Sequence, residues 1–113
     1  MTNTYKIGSQ GEQIVLGLLD GAVLANTQEN DYDIFWKGIK IEVKTSGLKR
    51  NTAFVFTGLK AKRNDTTYVF VGINDEKQYF WVKKTPVKSG FYGSLKTTIP
   101  VDQLQNEILK INK

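Results

Sequence analysis

Asp33, Glu42 and Lys44 are the residues of this chain whose types and spacing could do chemistry, and they fall within one stretch, DYDIFWKGIKIEVKTS, residues 31–46. Two acids flank a glycine-containing turn inside what otherwise reads as strand. If Lys37-Gly38 is a two-residue turn, Trp36 pairs with Ile39, Phe35 with Lys40, Ile34 with Ile41 and Asp33 with Glu42. The period of two then puts Ile34, Trp36, Ile39, Ile41 and Val43 on one apolar face, and Asp33, Phe35, Lys40, Glu42 and Lys44 on the other. Directly opposed residues in such a ladder have Cβ atoms about 4.5–5.5 Å apart, so two facing carboxylates need a cation. Lys40 and Lys44 share that face, and the same register sets Asp31 opposite Lys44, which would make an ordinary ion-paired hairpin. A divalent ion is the other solution, because Mg²⁺ is typically held by one or two carboxylates together with waters and substrate phosphates.

Composition narrows the chemistry further. The chain has 113 residues, no cysteine and no histidine. Disulfides, Cys/His zinc sites, a thiol nucleophile and an imidazole base are all ruled out. Catalysis would have to use carboxylates, lysine, hydroxyls or a metal held by oxygen. The net charge of +5 is unevenly spread: residues 1–33 carry one Lys against five acids, and residues 34–64 carry eight Lys/Arg against Glu42 alone. Lys37, Lys40, Lys44, Lys49, Arg50, Lys60, Lys62 and Arg63 thus surround the acid pair, the footprint expected of a phosphate-backbone binder as well as of a solvated surface.

The elements that must position these residues can be read coarsely. The length suits one domain with one core, and neither repeats nor a low-complexity linker divide it. Ser9-Gln10-Gly11-Glu12 matches a capping box, and Ile14, Val15, Leu18 and Leu19 follow at helical spacing until Gly21 stops the run, with a start as early as Asn3 left open. Glu12 therefore has two readings, a helix cap or a further acid for the site. Strands are expected at 32–36, 39–45, 52–57, 67–73 and 78–82, with a short basic helical turn around Gly58 to Asn64 and a closing helix from Val101 to Ile111. Helix, strands and helix make an α/β or α+β domain with a mixed central sheet flanked by helices. Tyr79-Phe80-Trp81 cannot all face one side of a strand, so at least one is expected to meet solvent, a ligand or a second subunit. No apolar run approaches membrane-spanning length and the N-terminus lacks a signal-peptide layout, so a soluble cytoplasmic protein with no membrane partner is expected.

Asp33, eight intervening residues and then Glu42-Val43-Lys44 in an apolar strand, preceded by a helix carrying Glu12, resembles the signature of the PD-(D/E)xK nucleases. The likeness is to small members such as Holliday junction resolvases and intron-associated endonucleases, and covers roughly residues 8–82. Tyr32 stands where the motif has proline, and Asp31 offers a second acid two residues before Asp33. The resemblance implies a restriction-endonuclease-like core and hydrolysis of phosphodiester bonds in DNA. By that likeness Asp33 and Glu42, with the Val43 carbonyl, hold Mg²⁺, for which Mn²⁺ can substitute; Lys44 lies beside the attacking water with an electrostatic role, and Glu12 is an additional catalytic acid. Lys40, Lys49, Arg50, Lys60, Lys62 and Arg63 would grip the DNA backbone flanking the scissile phosphate, in double-stranded or branched DNA. A homodimer is expected, because cutting both strands with one small site usually calls for two subunits. The alternative is a nucleic-acid-binding module of the same fold that does not cut.

Overall fold

The computed structural model describes residues 4–26, 30–59, 65–84 and 90–113. Helix α1 spans Thr4–Leu18. Its stripe Gly11, Val15 and Leu19, at a spacing of four, is buried, and Gly21 with φ of +83° ends the run where its sequence suggested. Ser9 lies in the body of this helix and not at its start, so the capping-box reading of Glu12 is corrected.

Strands β1 (Val23–Leu24), β2 (Ile34–Trp36) and β3 (Ile39–Ser46) follow. Lys37 and Gly38 both adopt positive φ, 50° and 78°, the pair of conformations that a tight hairpin turn requires. The register is the expected one for three pairs, Trp36 with Ile39, Phe35 with Lys40 and Ile34 with Ile41. Strand β1, which alternation did not reveal, pairs with β2; its two residues are 56% and 50% exposed and so carry no buried period.

β3 next pairs in parallel with β6 (Thr66–Asn74), which pairs antiparallel with β7 (Lys77–Lys84), giving a mixed five-stranded sheet in the order β1-β2-β3-β6-β7. A parallel pair needs a long crossover. Within that crossover are β4 (Lys49–Arg50) and β5 (Ala53–Phe56), and with β8 (Phe91–Ser94) they form a second sheet, β4-β5-β8. Lys49 and Arg50 thus lie on a short edge strand. Of the expected helical turn, Gly58 and Leu59 are irregular; Lys60, Lys62 and Arg63 lie outside the described residues.

The two faces of the large sheet bury different layers. On one, Ile34, Trp36, Ile41, Val43, Val69, Val71 and Phe80 pack against Val15 and Leu19, and against Leu104 and Ile108 of α2 (Leu104–Ile111), which follows a 3-10 turn at Val101–Gln103. On the other, Tyr68, Phe70 and Trp81 meet Phe54, Phe56 and Leu59 of the second sheet and the segment after it. Covered on both sides, β6 is buried continuously from Thr66 to Gly72, the pattern of a central strand.

This second layer corrects the expectation for Tyr79-Phe80-Trp81. Phe80 enters the helix-side core, Trp81 enters the other core and donates its indole N–H to the Ser94 carbonyl at 2.9 Å, and half-buried Tyr79 lies against Phe54 with ring centroids 5.4 Å apart. None is left as an apolar contact for a second subunit, so the structural argument for a homodimer from this triplet falls away. The fold is a mixed α and β arrangement, a five-stranded sheet with two helices among the described residues. None of those helices is long and apolar enough to cross a membrane.

Candidate active site

The hairpin ladder stops one pair short of the acids. At Asp33 the chain bends away: its N–H donates to the Ile41 carbonyl at 2.9 Å, and its own carbonyl accepts from the Ala25 N–H at 2.8 Å. Leaving the ladder removes the carbonyl that would have received the Val43 N–H. The Asp33 side chain takes its place, Oδ2 accepting from that N–H at 2.8 Å. The expected direct opposition of Asp33 and Glu42, and with it Asp31 opposite Lys44, is therefore corrected. Asp33 points instead at the β3 backbone, held there because an unsatisfied buried N–H would cost on the order of 1–3 kcal/mol.

Glu12 joins Asp33 from the other side. Helix α1 approaches β3 so closely that a Cβ on Gly11 would collide with Thr45 Oγ1 and come within 3.0 Å of Thr45 Cβ. The next helical residue, half-buried Glu12, hydrogen-bonds the Asp33 carboxylate. Burial pushes the Glu12 carboxyl above the usual carboxylate range, the Asp33 charge and the hydrogen bond to Asp33 push it further, and the Lys44 ammonium partly offsets them. Three charged residues from α1, the end of β2 and β3 are thereby gathered in one place, although 21 and 11 positions separate them along the chain.

Glu42 is 6% exposed, the one carboxylate among the buried residues described. Its neighbour across the parallel ladder is Tyr68. Burial raises the Tyr68 hydroxyl above the usual phenol value, and the charges of Glu42 and then Asp31 add to that. Asp31 and Glu42 thus both act on Tyr68, whereas Glu12 is acted on by Asp33 and Lys44. Glu42 and Lys44 alternate onto the same face of β3, about 7 Å apart along the strand.

The donors that the resemblance assigns to a cation are oxygens: the Asp33 and Glu42 carboxylates and the Val43 carbonyl. Among the described residues no three acidic side chains converge into a closed cage. An open site of one or two carboxylates suits Mg²⁺, which keeps several waters and takes substrate phosphate oxygens, so the residues present fit a hard cation of that kind.

The described cations that were expected to grip nucleic acid or to act in catalysis divide three ways. Lys40 pairs with Asp65 at 3.2 Å and lies over the Tyr32 ring at 5.8 Å, so it is engaged away from the acids it was expected to neutralise. Lys49 and Arg50 are exposed on β4. Lys44 borders a cleft of about 440 Å³ between the end of β3 and β5, together with Ser46, Leu48, Val55, Phe56 and Leu59. Sequence reasoning did not single out Ser46, Leu48 or Tyr68 for the site; Leu48, an aliphatic residue between Gly47 and Lys49, was the one visible signal. Comparison with protein-family models, with curated proteins and with solved structures finds no match.

Proposed function

We propose that this chain is a metal-dependent endonuclease of the PD-(D/E)xK kind, with a restriction-endonuclease-like core, hydrolysing phosphodiester bonds in DNA. The observation that carries the reading is the meeting of Glu12, Asp33 and Lys44, contributed by a helix, the bend before β2 and strand β3, beside a buried glutamate on the same strand as the lysine. A surface hairpin carrying ordinary ion pairs has no use for a helix acid pressed against a strand acid, because that contact is repulsive when both are ionised.

In this reading Asp33, Glu42 and the Val43 carbonyl would hold Mg²⁺ or Mn²⁺. Bound there, the ion supplies Lewis-acid polarisation of a phosphate oxygen and a water acidified enough to attack at neutral pH. The chain's own residues do the rest. Asp33, fixed through its N–H, its carbonyl and its carboxylate, offers an oriented anion that need not reorganise. The Lys44 ammonium stands beside the phosphate and stabilises the negative charge that builds on it during in-line displacement. Glu12, sharing a hydrogen bond with Asp33, positions that carboxylate and can hold a proton next to it. Exposed Lys49 and Arg50, and Lys60, Lys62 and Arg63 by sequence, supply sequence-independent attraction for the DNA backbone.

The test is incubation of purified protein with plasmid, single-stranded and branched DNA, in Mg²⁺ or in EDTA, beside Glu42→Gln. The expected result is cleavage that needs the metal and falls on the order of 10²-fold or more in the variant. No cleavage of any of the three DNAs, or a Glu42→Gln protein that cuts at the parental rate, would sink the proposal.

A further inference from the structure

The cleft beside Lys44 has a composition that phosphate binding alone does not require. Its walls are Val55 and Phe56, 7% and 3% exposed, with Leu59 at 7%, and at its rim Leu48 is 50% exposed. Leu48 belongs to neither of the two apolar cores, so its exposure serves no packing. Polar groups at the rim are already committed: Ser46 Oγ donates to the Val55 carbonyl at 2.7 Å and accepts the Leu48 N–H at 3.0 Å, and the Val55 N–H donates to the Leu48 carbonyl at 2.9 Å. Those bonds fix the rim and occupy the Ser46 hydroxyl and the Leu48 and Val55 amides. Among the described residues, Lys44 is the one charged residue lining the cleft.

We infer that this cleft takes one unpaired nucleoside of the substrate strand, the residue adjoining the phosphate held at Lys44; the inference rests on the nuclease reading and specifies its substrate. At about 440 Å³ the space falls within the range of small-ligand pockets, roughly 300–1,000 Å³, and it admits a base with its sugar but not a duplex. A charged end and an apolar interior match the two ends of a nucleotide. With Val55, Phe56, Leu59 and Leu48 as its apolar surfaces, the cleft holds a base by apolar contact, which makes it tolerant of base identity. The preferred substrate is then a single strand, a flap or a junction whose base is already unstacked, since extruding one from a duplex costs a few kcal/mol.

The experiment uses a single-stranded oligonucleotide carrying one 2-aminopurine, titrated with the whole chain in EDTA, with a fully paired duplex of the same length as comparison. Seating the base in the cleft separates it from its neighbours, so 2-aminopurine emission should rise several-fold on the single strand and much less on the duplex. Leu48→Ala should weaken single-strand binding about tenfold, the equivalent of about 1.4 kcal/mol and within the range of one base contact. Leu48→Trp should restore or strengthen it. Val101→Ser, which removes an aliphatic side chain 52% exposed in the 3-10 turn before α2 and outside the cleft lining, should change nothing. An emission that does not respond, or Leu48 variants that both bind like the parent, would overturn the cleft assignment. Parallel cleavage in Mg²⁺ separates the two ideas. Cutting without any emission response removes the nucleoside site and leaves the nuclease, whereas an emission response that depends on Leu48, without cutting of any DNA, does the reverse.

Discussion

Replacing Glu12 by Gln should stabilise the metal-free protein at neutral pH. Glu12 binds its proton more tightly in the folded chain than in the unfolded one, because burial, the Asp33 charge and the hydrogen bond to Asp33 all oppose its ionisation. The folded state therefore carries more protons than the unfolded state, and stability falls as pH rises from the ordinary glutamate value of 4.5 through the raised native value. Gln keeps a donor for Asp33 and never ionises. Like charges in contact cost about 0.2–1 kcal/mol at partly solvated positions, and Lys44 and solvent screening both reduce the figure. A gain of about 0.2–0.5 kcal/mol in EDTA follows, or roughly 1–3 °C in melting temperature for a domain of this size. Urea melts of both proteins from pH 4 to 8 should show the curves together at the acid end and separating above it. Millimolar Mg²⁺ should narrow the gap at pH 7, because a cation at Asp33 turns the Glu12 charge from a cost into a benefit and binds only the folded state. A Gln variant less stable than the parent at pH 7 in EDTA, or a difference that does not vary with pH, would refute the placement of Glu12 against Asp33.

Lys44→Ala should lose cleavage, on the order of 10²-fold or more, yet still bind DNA in a mobility-shift assay, since Lys44 is one of eight Lys/Arg between residues 34 and 64; a variant that cuts normally makes Lys44 an ordinary surface charge. Asp33→Asn and Asp33→Ala should both abolish cutting but differ in stability. Asn retains an oxygen for the Val43 N–H and Ala leaves it unpaired, so denaturant melts in EDTA should place Ala about 1–2 kcal/mol below Asn. Gly11→Ala should destabilise, because the clash with Thr45 costs about 1–3 kcal/mol as overpacking against at most about 1 kcal/mol gained in helix propensity. Combining it with Thr45→Ala should recover part of that loss, and Gly11→Ala melting at or above the parent would contradict the close approach.

The parts of this molecule that were legible in its sequence are those fixed by local chemistry. Gly21 ends α1, Lys37-Gly38 turns the hairpin, and the alternation from Ile34 to Val43 sets its register. The apolar run at 67–73 reads as a strand and is β6. What lay hidden depends on pairing between distant segments. β1 and β4 have two residues each, too few to show a period, and β8 carries exposed Tyr92 beside buried Gly93. Without the second sheet in view, the aromatic triplet had no layer to bury its far side. The candidate residues themselves were legible, but their geometry was not: alternation extrapolated the ladder to Asp33, whereas the Ala25 N–H draws the chain off it.

That departure changes what the acids can do. Had Asp33 continued the ladder, it would have faced Glu42 as a rotameric side chain on an open sheet surface, free to pair with whichever lysine was nearest. Bent away, it spends one carboxylate oxygen on the Val43 N–H, and the same residue's side chain is buried in the helix-side core while its carbonyl is the proposed third ligand. Val43 thus ties the site to the core through three of its groups, and the middle residue of Glu42-Val43-Lys44 contributes position where its neighbours contribute charge. The approach of α1 works the same way. Only a residue without Cβ lets the helix press on Thr45, and the residues on either side of that contact, Glu12 after Gly11 and Lys44 before Thr45, act on one another electrostatically where Glu12 meets Asp33. The precision of the charges is set by two positions that carry none.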